Sequence, residues 1–505
     1  MWTHARGFLQ AGGDLTGTPL NTTLDAAERF CAANESCCGF TFQSDDAAPA
    51  APVKTYFKME CGVAGSSHWQ AYTRKMPWER PLRLHKMQDM VQQVGARCLD
   101  GSPGSFYFGA ATAPKLATTW QIFLQGGGWC YSVEDCAVRA RGGLGSSNSL
   151  PPEANQIGYA SGIFSNNPWL NPDFAGSNSV YVNYCDGNSF SSNATEPVSA
   201  PSGQQLHFRG HRILEAVLLS LARDHGLADA TDVLLTGCSA GGLATLLQAD
   251  YVGSRVRALS GQLARFKAAP CSGFFLDHAN AEGSSVYPGQ MRTLFALSGA
   301  ANGVDRSCLA ANAGGSEWKC NMAEHAYPHV SVPLMVLNSA LDCWQVGCIL
   351  AAEPVAQGKG GSNGNCSASQ AFPKGCACYG CPIEKTCDAA AFHRFDSYEA
   401  DFTRVITSAS TSTKRGNGAF IHSCYSHCAG SRPMFNTIAI GNVTMQAAVS
   451  AWWRADAGTA PPMNHIEPCS WRGPADPPCN PTCPSADERA LPGQQMPPWE
   501  EQAAM

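Results

Sequence analysis

Charge is scarce in this chain. Of 505 residues only 15% are Asp, Glu, Lys or Arg, and the net charge is −6. No cluster of Lys or Arg occurs, which argues against nucleic acid as a partner. No uninterrupted apolar run reaches the roughly 18 residues of a membrane-spanning helix, so no membrane span is expected. The opening Met1-Trp2-Thr3-His4-Ala5-Arg6-Gly7 lacks the apolar core of a secretory signal, so the chain reads as a mature fragment or as a gene reading that lost its first exon, ahead of non-standard secretion. The Cys-x-x-Cys pairing of a zinc ribbon has no second pair at ribbon spacing, so disulfides fit the cysteines better than a zinc site.

Cysteine, by contrast, is plentiful. There are 24, many close together: Cys37 with Cys38, Cys130 with Cys136, Cys376 with Cys378 and Cys381, Cys424 with Cys428, and Cys479 with Cys483. Disulfides in an oxidising compartment account for them. Asn-x-Ser/Thr sequons at Asn21, Asn34, Asn193, Asn365 and Asn442 point to the same secreted or cell-wall location. Hydrophobic residues make up 44% of the chain, enough for one large core and a smaller one.

The chain is organised around Val233-Leu234-Leu235-Thr236-Gly237-Cys238-Ser239-Ala240-Gly241-Gly242. A short apolar run reads as a buried parallel strand. Gly237-x-Ser239-x-Gly241 follows, and Leu243 to Ala249 reads as a helix. Strand, tight turn and helix form the context of a nucleophile elbow, which presents a serine at the positive end of a helix. The glycines allow the sharp turn.

Residues 1–76 read as a separate α+β module. It has a helix between Thr22 and Glu35 capped by Thr22 or Thr23, and strand-like runs at Gly39–Phe42, Lys54–Lys58 and His68–Tyr72. Cys31, Cys37, Cys38 and Cys61 can staple it in three ways. Their order is similar to PAN/apple-like modules, which bind glycans or proteins. Residues 77–89 read as a linker.

Upstream of the elbow, the strand Trp120–Leu124 enters Gln125-Gly126-Gly127-Gly128-Trp129-Cys130. Backbone N–H groups in a glycine loop at a strand's C-terminal end suit an oxyanion hole. Ser179–Cys185 reads as a strand and Ile213–Leu221 as an amphipathic helix. The alternation implies a mostly parallel sheet with helices on both faces. Downstream, the strand Pro333–Asn338 leads to Asp342, placed where a triad acid belongs, with Asp277 as a competing carboxylate. The Cys-rich residues 353–390 read as a disulfide-pinned loop, with a metal site as the minority alternative. Ala419 to Cys428 holds two histidines, His422 within a strand-like run and His427 in a loop. Spacing alone does not choose between them. The tail 485–505 reads as disordered.

Together, Cys98-Leu99-Asp100-Gly101-Ser102, Gly126 to Cys130, Asn171-Pro172-Asp173-Phe174, Tyr184-Cys185-Asp186-Gly187, Phe208-Arg209-Gly210, the elbow, Asn338 to Gln345 and Ser423 to Cys428 resemble the pectin acetylesterase/Notum family, and its plant-type branch more closely. The resemblance covers residues 90–484. It implies an α/β-hydrolase-like fold and a secreted serine carboxylesterase that removes acetyl groups from a polysaccharide and needs no metal or organic cofactor. By resemblance Ser239 is the nucleophile, Asp342 the acid and His427 the base. The oxyanion donors are the backbone N–H groups of Gly128, Trp129 and Ala240. The alternatives are a Notum-like deacylase of a fatty-acylated protein or lipid, and a non-catalytic glycan-binding protein on a hydrolase scaffold. The chain departs from the family in its N-terminal module and in the expanded Cys-rich segment after Asp342.

Overall fold

The computed structural model describes residues 2–9, 14–16, 19–154, 161–352, 372–373, 376–377, 383–408, 413–468 and 479–484. The expected tail 485–505 and most of the Cys-rich stretch 353–390 lie outside them.

Ten strands form the central sheet: β1 (Leu82–Lys86), β2 (Ser105–Gly109), β3 (Thr119–Leu124), β4 (Glu153–Ala154), β5 (Asn178–Val182), β6 (Asp232–Cys238), β7 (Arg265–Cys271), β8 (Met335–Ser339), β9 (Gly418–His422) and β10 (Met463–Ile466). Their spatial order is β4-β1-β2-β5-β3-β6-β7-β8-β9-β10. The pairings from β5 to β10 are all parallel. Those among β4, β1, β2 and β5 are antiparallel. The sheet is therefore mixed and mostly parallel, as expected. Leu82–Lys86 corrects one expectation: placed in the linker, it is a strand of the main sheet. Its Leu-Arg-Leu-His alternation suits an outer strand with one wetter face.

Alternate residues of each central strand enter different cores. Ile122, Leu235, Val336 and Ile421 pack on one face. Phe123, Leu234, Leu337 and Phe420 pack on the other. Helices α1 (Gly210–Asp224), α2 (Ala240–Leu259) and α3 (Ala389–Ser408) cover the first face, through residues such as Leu214, Leu246 and Phe395. Helix α4 (Met445–Arg454) covers the second with Val449 and Trp452. Both faces being dry explains the near-continuous apolar character of β3 and β6.

The N-terminal residues form a five-stranded antiparallel sheet with one helix, Leu24–Ala33, whose N-cap is Thr23. Of the three conceivable pairings its four cysteines adopt Cys31–Cys37 and Cys38–Cys61. Among the described residues, this module hydrogen-bonds to the segment 161–167 beside the main sheet. Asn167 Nδ2 donates to Met59 O (2.8 Å), and the Gly162 N–H donates to Glu60 Oε1 (3.4 Å).

Candidate active site

The C-terminal ends of the parallel strands meet along one edge, where α/β folds place their sites. Leu124 pairs with Gly237, Cys238 with Cys271, and Ser339 with His422. Every expected site residue leaves the sheet from this edge.

Ser239 is the residue between β6 and α2. Its backbone sits at φ 61°, ψ −128°, a conformation costly for a side-chain-bearing residue and concentrated at functional sites. The elbow is clamped on both sides. A Cβ on Gly241 would lie 2.0 Å from Leu124 O, and one on Gly126 would lie 2.2 Å from Cys238 O and 3.0 Å from Ser239 Cβ. Only glycine permits this contact, which sets the Gly126–Gly128 loop directly against the serine.

That loop is fixed from outside. The Gly128 carbonyl accepts from Tyr184 Oη (2.9 Å), whose oxygen accepts in turn from the Ser189 N–H (3.0 Å). The Trp129 indole N–H donates to Ser189 Oγ (2.8 Å). Among the described residues, no backbone carbonyl accepts from the N–H of Gly128, Trp129 or Ala240. Sequence reasoning does not single out Tyr184, which reads as part of the strand Ser179–Cys185, or Ser189 beyond it. The signal there was Tyr184 lying within a stretch that carries the resemblance.

Asp342 caps the turn after β8, and its Oδ1 accepts from the N–H groups of Trp344 (3.0 Å) and Gln345 (3.2 Å). His427 Nδ1 lies 2.9 Å from Asp342 Oδ1 and 2.7 Å from Oδ2. A carboxylate only accepts, so Nδ1 carries the proton and Nε2 is left basic. Both side chains are buried.

A disulfide joins Cys238 to Cys428, with Cα atoms 5.7 Å apart. These cysteines are the sequence neighbours of Ser239 and His427. With about 3.8 Å per Cα step, the Cα atoms of Ser239 and His427 lie within about 13 Å of each other. A second bridge, Cys424–Cys483, anchors the same histidine loop to the chain's later part. Cys424 and Cys428, neighbours in sequence, thus go to different partners.

The structure separates the two histidines. His422 lies within β9, is fully buried, and accepts the Cys424 N–H at Nδ1 (3.2 Å). Burial pushes its pKa down to about 3, so it stays neutral at ordinary pH. Asp277 is committed elsewhere: its Oδ2 meets His325 Nε2 at 2.8 Å and Lys319 Nζ at 3.5 Å. The hydrogen bond from His325 holds its carboxyl below the usual range.

Among the described residues, no group of three or more His, Cys, Asp or Glu could hold a metal ion. No helix among them is long and apolar enough to cross a membrane.

The pectinacetylesterase family profile matches residues 81–484. The chain belongs to the pectinacetylesterase family. It is 29% identical over 402 residues to pectin acetylesterase 5 of Arabidopsis thaliana, covering 79% of this chain and 84% of that protein. It is 30% identical over 399 residues to pectin acetylesterase 7 of the same plant, covering 77% and 90%. The palmitoleoyl-protein carboxylesterase Notum of Mus musculus is 24% identical over 437 residues, covering 82% and 74%. The solved structure of the Wnt deacylase Notum from Drosophila superposes with a TM-score of 0.62 at 22% identity, covering 80% of this chain and all of that one. It shows a shared α/β-hydrolase fold. Family membership supports ester hydrolysis, and the matched range begins one residue before β1.

Proposed function

We propose that this protein is a secreted serine carboxylesterase that removes acetyl groups from a polysaccharide. The observation that carries the proposal is the Asp342–His427 hydrogen-bonded pair tethered by Cys238–Cys428 to the strained Ser239 elbow.

His427 Nε2 takes the hydroxyl proton as Ser239 Oγ attacks the ester carbonyl carbon. Asp342 holds the ring's tautomer and stabilises the imidazolium that forms. The negative oxygen of the tetrahedral intermediate is received by the N–H groups of Gly128, Trp129 and Ala240. As the carbon–oxygen bond to the alcohol breaks, His427 returns its proton to the departing alkoxide and an acyl-Ser239 remains. Water then attacks that acyl carbon, giving its proton to His427. Collapse releases the carboxylic acid, and Oγ recovers the proton.

Twenty-four cysteines and the bridges seen here suit an oxidising compartment. Residues 2–76 lie outside the matched family range, and the order of their motifs supports a glycan- or protein-binding role.

The test is hydrolysis of chromogenic acetyl esters and of an acetylated polysaccharide by wild type and Ser239→Ala. Loss of more than about a thousandfold in kcat with an unchanged melting temperature is expected. Equal activity in the folded variant removes Ser239 from the mechanism.

A further inference from the structure

The loop that carries His427 continues into residues 428–432, and this continuation is gripped from two sides. On one side lies the end of β7. The Cys428 N–H donates to Ser272 Oγ (2.8 Å), and a Cβ on Gly430 would lie 2.9 Å from Cys271 Sγ. On the other side lies the segment 161–167. Ser161 Oγ donates to Ser431 O (3.0 Å). A Cβ on Gly162 would lie 2.6 Å from both Gly430 O and Arg432 O, so the two stretches meet backbone to backbone.

The same segment bonds to chain that precedes the matched family range 81–484. The Gly162 N–H donates to Glu60 Oε1 (3.4 Å), and the hydroxyls of Ser161 and Ser165 bond the same carboxyl. Asn167 Nδ2 donates to Met59 O (2.8 Å), and Asn166 Nδ2 donates to Trp78 O. From the main sheet, Gln121 Nε2 holds Ile163 O (2.6 Å). The segment is thus a spacer between the N-terminal module and the histidine loop.

We infer that the N-terminal module is built into the active site: Met59 and Glu60 are positioning residues that, through the segment 161–167, hold the loop carrying His427. The inference goes beyond the esterase reading and uses that reading for one of its two readouts.

The chemistry of Ser161 makes the coupling specific. A hydroxyl has one proton to donate. A neutral Glu60 donates its own O–H to Ser161 Oγ and leaves the serine proton on Ser431 O. An ionised Glu60 only accepts, so it draws that proton away from the histidine loop. Burial favours the neutral acid, lifting its carboxyl to about 7 against the N–H and hydroxyl bonds that favour the ion. The charged side chains on the packed elements are Lys58, Glu79, Arg80 and Arg432. Lys58 pairs with Asp14 (2.6 Å), and Arg80 Nη2 bonds Ser179 Oγ (2.9 Å). Arg432 is buried, and burial also raises the Glu79 carboxyl. Docking is strongest with Glu60 neutral, weakens as pH rises from 4.5 towards 7, and is weakest above 7.

The experiment measures kcat and KM for an acetyl ester from pH 5 to 9, and amide hydrogen exchange of residues 161–167 and 428–432 corrected for intrinsic rate, in the full chain. The proteins are wild type, Glu60→Gln, Glu79→Gln, Asn167→Asp and Ser239→Ala. In wild type, kcat should fall about tenfold above pH 7 with KM nearly constant, and protection of 428–432 should fall in the same window. Glu60→Gln keeps the donor and acceptor of the neutral acid, so it should hold both kcat and protection up to pH 9. Glu79→Gln should keep the wild-type fall. Asn167→Asp retains the oxygen that accepts from the Trp169 N–H (2.9 Å) but sets a carboxylate against Met59 O. It should lower kcat about tenfold at every pH with KM nearly constant. If it fails to fold, Glu60→Gln alone decides. A wild-type fall that persists in Glu60→Gln or vanishes in Glu79→Gln overturns the inference. So does a wild type with no fall in kcat or protection, or a folded Asn167→Asp with wild-type kcat. If wild type hydrolyses no ester, or Ser239→Ala remains fully active, the esterase reading fails instead, and the exchange of 428–432 still decides the role of the module.

Discussion

Replacing both Cys238 and Cys428 by alanine tests whether the bridge between elbow and histidine loop is part of the site's construction. The bridged residues are 190 apart in sequence. Chain-entropy reasoning for a closed loop of that length gives about 5 kcal/mol at 25 °C as the upper contribution to stability, with 2–4 kcal/mol more usual. Two bridges seen among the described residues lie within that loop, Cys308–Cys320 and Cys376–Cys387, and they span only 12 and 11 residues. Because the dependence on length is logarithmic, the figure hardly changes. The catalytic effect is a separate quantity. The sheet edge still carries Ser239, and Asp342 still bonds His427, but the pair loses its covalent tie to the nucleophile. A misplacement of about 1 Å costs on the order of a hundredfold in rate. Thermal unfolding and ester hydrolysis, measured below the variant's unfolding transition, read the two effects. The melting temperature should fall, and kcat should fall more than KM rises. A folded double variant with wild-type kcat would refute the idea that this bridge positions the catalytic groups.

The remaining predictions concern single side chains. His422→Asn should keep ester hydrolysis at neutral pH, whereas His427→Asn should lose it; activity assays on the two purified variants decide. His422 also carries an acid liability. Its folded pKa of about 3 lies below the ordinary 6.5, so its contribution is fully present above pH 6.5 and is lost as pH falls towards 3. His422→Asn should therefore lose less melting temperature than wild type between pH 7 and pH 4.5. Glu60 has the opposite sign. Burial lifts its carboxyl from 4.5 to about 7 where it accepts from the Gly162 N–H, so stability falls as pH rises through that window and the full penalty stands above about pH 7. Glu60→Gln should melt higher than wild type at pH 8 and equal to it below pH 4.5. Gly241→Ala should abolish activity and lower the melting temperature, since its Cβ would lie 2.0 Å from Leu124 O; a variant with both unchanged would contradict the packed elbow.

The parts of the fold that were legible in sequence are those where both faces of a strand are dry. Trp120–Leu124, interrupted only by Gln121, and Val233–Leu235 are apolar runs because each strand borders two cores. Strand β7 escaped notice because Lys267 and Pro270 interrupt its pattern. The structure explains the lysine: Lys267 Nζ is buried and donates to Trp452 O (2.5 Å) and Ala455 O (2.8 Å), closing the C-terminal end of α4. Such a partner, 185 residues away, leaves no local trace. Leu82–Lys86 reads as linker because Pro77 and Pro81 precede it, yet preceding prolines and alternating charge are both compatible with an outer strand. Disulfide pairing was open because four cysteines in one module allow three connectivities. In the candidate site, the Gly-x-Ser-x-Gly turn was readable from local steric need alone. The choice of His427 over His422 was not, since one ends strand β9 and the other follows it by five residues. What separates them is three-dimensional: one ring meets Asp342, and the other is sealed inside β9.

The account's central claim is that Ser239 is a nucleophile activated by His427. The most direct measurement is covalent labelling by a fluorophosphonate, followed by peptide mapping, on wild type, Ser239→Ala and His427→Asn. The account predicts one label, on Ser239, absent from Ser239→Ala and strongly slowed in His427→Asn. A label on another serine, or ester hydrolysis by a wild-type protein that takes no label at Ser239, would contradict it.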